Sequence, residues 1–146
     1  MGRAIRQGGC LVDNNDMKEE IFDVVDQQDV VISTASRAKV HREHPKHRAV
    51  HVVGFDHNDR ILVQLRGFDK DCSPGLWDTS AGGHVDSGEE YNSAAVRELA
   101  EELGIVCDTP LERLFKLEAD ENTGHEFIQV YKVQTAQIPI LQASEV

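Results

Sequence analysis

The sequence predicts an α+β fold in which a mixed, curved sheet is covered by helices, and three observations lead there. Segments of strand character outnumber helical ones, and a single long uninterrupted helical segment lies between them. The third is size: 146 residues give room for one hydrophobic core and too little for two ordinary domains.

Composition narrows the function classes. A hydrophobic share of 40% and a charged share of 28% belong to a folded chain rather than a disordered one. No apolar run approaches the roughly 20 residues needed to span a bilayer, and no secretory apolar region follows Met1, so the cytoplasm is the expected location. Lys plus Arg number 15 against 26 Asp plus Glu, a formal charge of -11. Such a surface repels a nucleic acid backbone, and no basic stripe offsets it. A small anionic ligand would need local cations or a bound metal ion. Cys10, Cys72 and Cys107 have no CxxC spacing, which argues against both a disulfide framework and a cysteine zinc site.

Residues 1–18 show no sustained period and read as a loose arm, with the domain running over 19–146. Glu20 to Asp26 has strand character, Gln27 to Asp29 a turn, and Val30 to Ile32 a second strand. Ser36 to Arg42 suits a short helix that must end before Pro45. Ala49 to Phe55 and Ile61 to Leu65 read as strands flanking the polar turn from His57 to Arg60, and Trp77 to Ala81 as an extended piece after a loop. In that context Trp77 either lines the pocket or anchors the core, and Leu76 beside it favours the core. The segment Glu89 to Leu103 lacks Gly and Pro, spaces Ala94, Ala95, Leu99 and Leu103 on one face, and meets Gly104 as its stop; Asp86 or Ser87 is expected to cap its start. Leu111 to Ala119 and Glu126 to Val133 read as strands joined through Asp120 to Gly124, and a last strand from Ile138 ends without a closing helix, as if the carboxyl end were cut short.

Chemistry concentrates on the long helix. Glu101 and Glu102 follow Glu98 by three and four residues, so at ~100° per residue the three carboxylates share one sector and repel one another. A hard divalent cation such as Mg²⁺ would relieve that repulsion, since it prefers oxygen ligands and binds one or two carboxylates together with substrate phosphates. Gly82 and Gly83 let a backbone carbonyl approach without a side-chain clash. Composition alone leaves the alternative of a solvated, glutamate-rich face.

The full array is more specific. Residues 83–105, GHVDSGEEYNSAAVRELAEELGI, contain a glycine, five residues, a glutamate, seven residues, then Arg-Glu-aliphatic-any-Glu-Glu-any-Gly-aliphatic. This resembles the signature of the Nudix superfamily at Gly83, Glu89, Arg97, Glu98, Leu99, Glu101, Glu102, Gly104 and Ile105. The resemblance implies a Nudix-type αβα sandwich. It implies Glu98 and Glu102 as principal metal ligands, Glu101 and the Gly83 carbonyl beside them, and an Arg97–Glu89 pair that holds the loop over the helix.

The segments HRAVHVVGF (47–55), ILVQLRGFDKDCSPGLWDTSAGGH (61–84) and HEFIQVY (125–131) are similar to the branch of the superfamily that contains isopentenyl-diphosphate isomerase. That resemblance implies metal-ligand roles for His47 and His84, with His41 near a third position, a catalytic role for Glu126, and substrate-binding roles for Arg66 and Lys70 at the diphosphate. Two positions depart from it. Gly82 stands where the isomerase carries its catalytic cysteine, and Gly124 replaces a companion glutamate, while Cys72 lies ten residues before Gly82.

The expected function is therefore Mg²⁺-dependent hydrolysis, with Mn²⁺ as an alternative ion, of a small diphosphate-linked metabolite, in particular a nucleoside diphosphate derivative. Glu98, Glu101 and Glu126 are the candidates for catalysis. The rival readings are an isoprenoid diphosphate isomerase and a non-catalytic nucleotide-binding module. Pairing into a homodimer through sheet edges or the amino-terminal arm is a further expectation.

Overall fold

The computed structural model describes residues 19–68, 73–108, 110–137 and 139. The amino-terminal arm, Lys70, Cys72 and the strand expected from Ile138 lie outside the described residues, apart from Pro139.

The described chain opens with a hairpin of β1 (Ile21–Val25) and β2 (Val31–Ser36). Its turn is closed by the Asp26 carboxylate, which accepts from the backbone N–H groups of Gln28 and Val30. Helix α1 (Arg37–Glu43) starts where the Ser36 hydroxyl accepts from the Lys39 N–H, and ends at His44 in the left-handed conformation. Strand β3 (His47–Phe55) is the centre of the molecule. It pairs antiparallel with β4 (Ile61–Leu62) and β7 (Ala81–His84) and in parallel with β9 (Glu126–Gln134). Outside β9 runs β8 (Glu112–Leu117), antiparallel, so the sheet is mixed as expected. A separate small ladder joins β5 (Gln64–Leu65) and β6 (Trp77–Asp78).

Helix α2 (Tyr91–Leu103) covers one face of the sheet. Its Ala94, Ala95, Leu99 and Leu103 pack with Val50, Val52 and Tyr131, all buried. Burying Leu99 alone stabilises by about 1.5–3 kcal/mol. Alternation along β3 sends Val50 and Val52 under this helix and turns His47 and His51 to the opposite face. The β3–β9 register sets His47 directly beside Glu126.

Four expectations are corrected. β3 begins two residues before Ala49, because the parallel ladder with β9 already starts at His47. The run Ile61 to Leu65 breaks at Val63: the buried Ser80 hydroxyl donates to the Leu62 carbonyl (2.5 Å) and accepts from the Gly54 N–H (2.7 Å), taking over local backbone pairing. α2 begins at Tyr91 rather than Glu89, and neither Asp86 nor Ser87 caps it. The Ser87 hydroxyl donates to Asp23 instead, and the residue at the cap position, Glu90, makes no side-chain cap bond. Trp77 is 70% exposed and lines the rim of a cleft, because its two-residue strand touches only the small β5–β6 ladder and never reaches the core.

Candidate functional site

A cleft of about 1190 Å³ runs along β7 from the glutamates of α2 to the far end of β3 and β9. Both groups of residues singled out in the sequence line it.

At the first end, Glu98 is 9% exposed and lies against Gly83 of β7. A Cβ at Gly83 would overlap its carboxylate, so this approach requires glycine. Burial, only partly countered by Arg97 and reinforced by the charges of Glu102 and Glu101, pushes the Glu98 carboxyl up to about 7. Glu101, one helical turn on, is exposed, and Glu102 is half-buried. Arg97 organises this end. Its Nε and Nη2 donate to Glu89 (2.9 and 3.0 Å), Nη2 also to the His84 carbonyl (3.0 Å), and Nη1 to Glu98 (2.8 Å) and Glu101 (3.3 Å). Every N–H of the guanidinium thus has an acceptor. Burial opposes the charge of Glu89, yet the Arg97 fork and the Asp86 N–H hold its carboxyl below the usual range.

At the second end, the Glu126 Oε1 accepts from both imidazoles, at 3.2 Å from His47 Nε2 and 3.0 Å from His84 Nε2. Burial opposes ionisation here too, but these two hydrogen bonds hold the Glu126 carboxyl down at about 2. One donor atom from each of His47, His84 and Glu126 lies within 4.8 Å of the others, a spacing one metal ion could bridge. Phe22 of β1 stacks on the His84 ring at 4.7 Å and on the His47 ring at 6.4 Å. His41 is exposed, its ring 6.2 Å from that of His84, and Gly124 is exposed and adds no side chain.

Arg66 lines the same cleft and pairs with Asp78 at 3.2 Å. The substrate-binding expectation at Lys70 falls on a residue that is not described. Gly82 faces His51 across the ladder; a Cβ there would stand 3.1 Å from the Val50 carbonyl and 3.4 Å from His51 Nδ1.

Two polar residues of the cleft region escaped the reading of the sequence. His51 lines it, with Nδ1 2.9 Å from the Thr79 hydroxyl. Gln64 donates from one carboxamide to the Ser80 carbonyl and to Glu102 Oε2, each at 2.6 Å. The one available signal was a polar side chain alternating with apolar ones inside a strand run.

The donor sets at the two ends differ in kind. Carboxylates with a backbone carbonyl form the hard oxygen set that suits Mg²⁺, and the glycine cradle beside Glu98 leaves the strand backbone accessible. Two imidazoles with one carboxylate suit Zn²⁺ or Mn²⁺.

A family model described as the NUDIX domain matches residues 45–146. The chain is 46% identical to an uncharacterized Nudix hydrolase of Yersinia pestis over 59% of its own length and 47% of that protein's. It is 35% identical to the isopentenyl-diphosphate Delta-isomerase of Serratia proteamaculans over 77% of its own length and 65% of the isomerase's. It thus spans about half the length of the first of these relatives. Among solved structures, a hypothetical Nudix protein of Deinococcus radiodurans superimposes with a TM-score of 0.74 at 27% identity, covering 87% of this chain and 79% of that one.

Proposed function

The chain belongs to the Nudix family, and from that premise we propose that it is a Mg²⁺-dependent hydrolase of a small diphosphate-linked metabolite, a nucleoside diphosphate derivative in the first instance. The observation that carries the reading is Glu98, buried against Gly83 with Glu101 and Glu102 on the same helix, all lining one cleft. Glu98, Glu102 and the Gly83 carbonyl would hold the cation, with Glu101 beside them. A divalent cation so held supplies neutralisation of phosphoryl charge and lowers the pKa of water.

The chain's own residues do the rest. Arg97 fixes Glu89, Glu98 and the His84 carbonyl in one network, which keeps the loop before α2 over the site. Arg66 offers a guanidinium to diphosphate oxygens, in competition with Asp78. Proton acceptance falls to Glu101 rather than Glu126, because Glu101 is exposed beside the carboxylate centre, whereas Glu126 is committed to two imidazoles and its low pKa makes it a weak base. The test is release of a monophosphate from a panel of nucleoside diphosphate derivatives. Turnover should require Mg²⁺ and fall at least ~10²-fold in Glu98→Gln; full turnover in EDTA would reject the reading.

One observation favours a second reading, isomerisation of an isoprenoid diphosphate: the cluster of His47, His84 and Glu126. Glycine at position 82 offers no proton donor, which speaks against it. Deuterium uptake from heavy water into such a substrate, without phosphate release, would establish it.

A further inference from the structure

Gln64 lies on β5, outside the helix motif and outside the histidine cluster, yet its carboxamide spans from the sheet region to α2. Both groups that its nitrogen faces, the Ser80 carbonyl and the Glu102 carboxylate, are acceptors only, and both stand at 2.6 Å. Chemistry therefore fixes the orientation of the amide: the oxygen in that place would face two acceptors, whereas the NH₂ uses one proton on each.

The anchor is rigid. Ser80 is 1% exposed, and its hydroxyl is committed to the Gly54 N–H and the Leu62 carbonyl at the break between β4 and β5. The buried bend between β6 and β7 is thereby connected through one side chain to a half-buried carboxylate on the helix. Glu102 sits one helical turn from Glu98, so the two like charges push each other apart when no cation lies between them. A glutamate side chain also has three rotatable bonds to be ordered before it can serve as a ligand.

We propose that Gln64 is a positioning residue for the cation site: its hydrogen bond to Glu102 Oε2 restrains that carboxylate and so preorganises the second of the two principal ligands. This rests on the reading of the α2 glutamates as a metal centre. Outer partners of ligating groups typically contribute tenfold or more to metal affinity.

The test is isothermal titration calorimetry of the full chain with Mg²⁺ alone, a probe that favours the oxygen set over the imidazole cluster. Wild type, Gln64→Met, Glu102→Ala and the double variant are compared, with thermal unfolding of each metal-free protein to verify folding. Methionine matches glutamine in length and removes the carboxamide, and with it both N–H donors; Gln64→Leu is the second variant if Gln64→Met does not fold. The expected result is ~10-fold weaker Mg²⁺ binding in Gln64→Met, with the double variant no weaker than Glu102→Ala. Unchanged affinity in Gln64→Met overturns the positioning role and leaves the metal reading standing. An equal loss from Gln64→Met with and without Glu102 also overturns it, since the effect would not pass through that carboxylate. Wild type that takes up no Mg²⁺ overturns the metal reading itself and the positioning role with it.

Discussion

The two ends of the cleft solve the same electrostatic problem in opposite ways. At the α2 end, three carboxylates come from one helix and are kept apart, with Arg97 bound to Glu98 and Glu101 and Gln64 bound to Glu102. At the β3–β9 end, one carboxylate is closed upon by two imidazoles from different strands. Burial raises the Glu98 carboxyl to about 7, while the imidazoles hold Glu126 at about 2 in spite of burial. The same residue type thus has its charge disfavoured by burial and by neighbouring carboxylates at one end, and is held ionised by two hydrogen bonds at the other. The lesson is that burial alone does not set the charge of a carboxyl group; the hydrogen bonds donated to it decide whether burial or ionisation wins.

The largest effect that would break this contrast is at Glu98. In Glu98→Gln the rate of Mg²⁺-dependent hydrolysis should fall by ~10³, about 4 kcal/mol of transition-state stabilisation. Steady-state kinetics of this variant beside Glu126→Gln decides the matter: an equal loss in both would mean that the two ends work as one centre.

Next in size is the histidine end. His84→Asn removes one of the three convergent donors, and Zn²⁺ affinity measured against a chelating indicator should drop by ~10²; Mg²⁺-dependent hydrolysis should change by no more than ~3-fold. If hydrolysis collapses instead, the division between a hard oxygen site and an imidazole site fails.

How far the sequence revealed these two ends follows from how each is assembled. The α2 centre is contiguous from Gly83 to Ile105, and helical geometry alone brings Glu98, Glu101 and Glu102 together. The histidine end depends on a parallel ladder between segments 79 residues apart, a pairing that no local period encodes. His47, His84 and Glu126 were therefore reachable through family resemblance and not through spacing. Gln64 and His51 were not reached at all, because a half-buried polar residue in a strand run declares no partner until the chain is folded. The start of α2 departs from the sequence expectation for a related reason: Glu89 lies before the helix, its carboxylate turned to Arg97 and to the Asp86 N–H.

A smaller effect sharpens the contrast from the strand side. In Gly83→Ala the added methyl overlaps the Glu98 carboxylate, and overpacking of this kind costs about 1–3 kcal/mol. Hydrolysis should drop by roughly 10-fold with KM little changed, since the ligand is displaced while the rest of the cleft is untouched. The same change at Gly88, where an added Cβ meets nothing within 4 Å, would act through backbone strain alone, because φ there is +78°. Comparing the two variants separates crowding at Glu98 from general loss of stability.

The smallest effect on the chemistry of the cleft concerns what holds its two ends in one frame. Asp29, in the β1–β2 turn, is 9% exposed at its side chain and accepts from Arg48 Nε (2.6 Å), Tyr91 Oη (2.7 Å) and the Lys116 ammonium. It ties the hairpin bearing Phe22, which stacks on both site histidines, to β3, to the first residue of α2 and to β8. Burial alone would raise the Asp29 carboxyl, but the bonds from Lys116, Arg48 and Tyr91 outweigh it and hold it below its ordinary 3.8. As pH falls, the unfolded chain therefore takes up this proton before the folded protein does. The stabilisation is complete above about pH 4 and is lost as pH drops through the lower, folded value. In Asp29→Asn, thermal unfolding at pH 7 should show a loss of about 1.5–3 kcal/mol, the range for hydrogen bonds to a charged group, and the difference from wild type should shrink below pH 4. Because the hairpin bears on the histidine end, Zn²⁺ affinity should weaken more than Mg²⁺ affinity in this variant; equal weakening of both would mean that the turn supports the whole fold and neither end in particular.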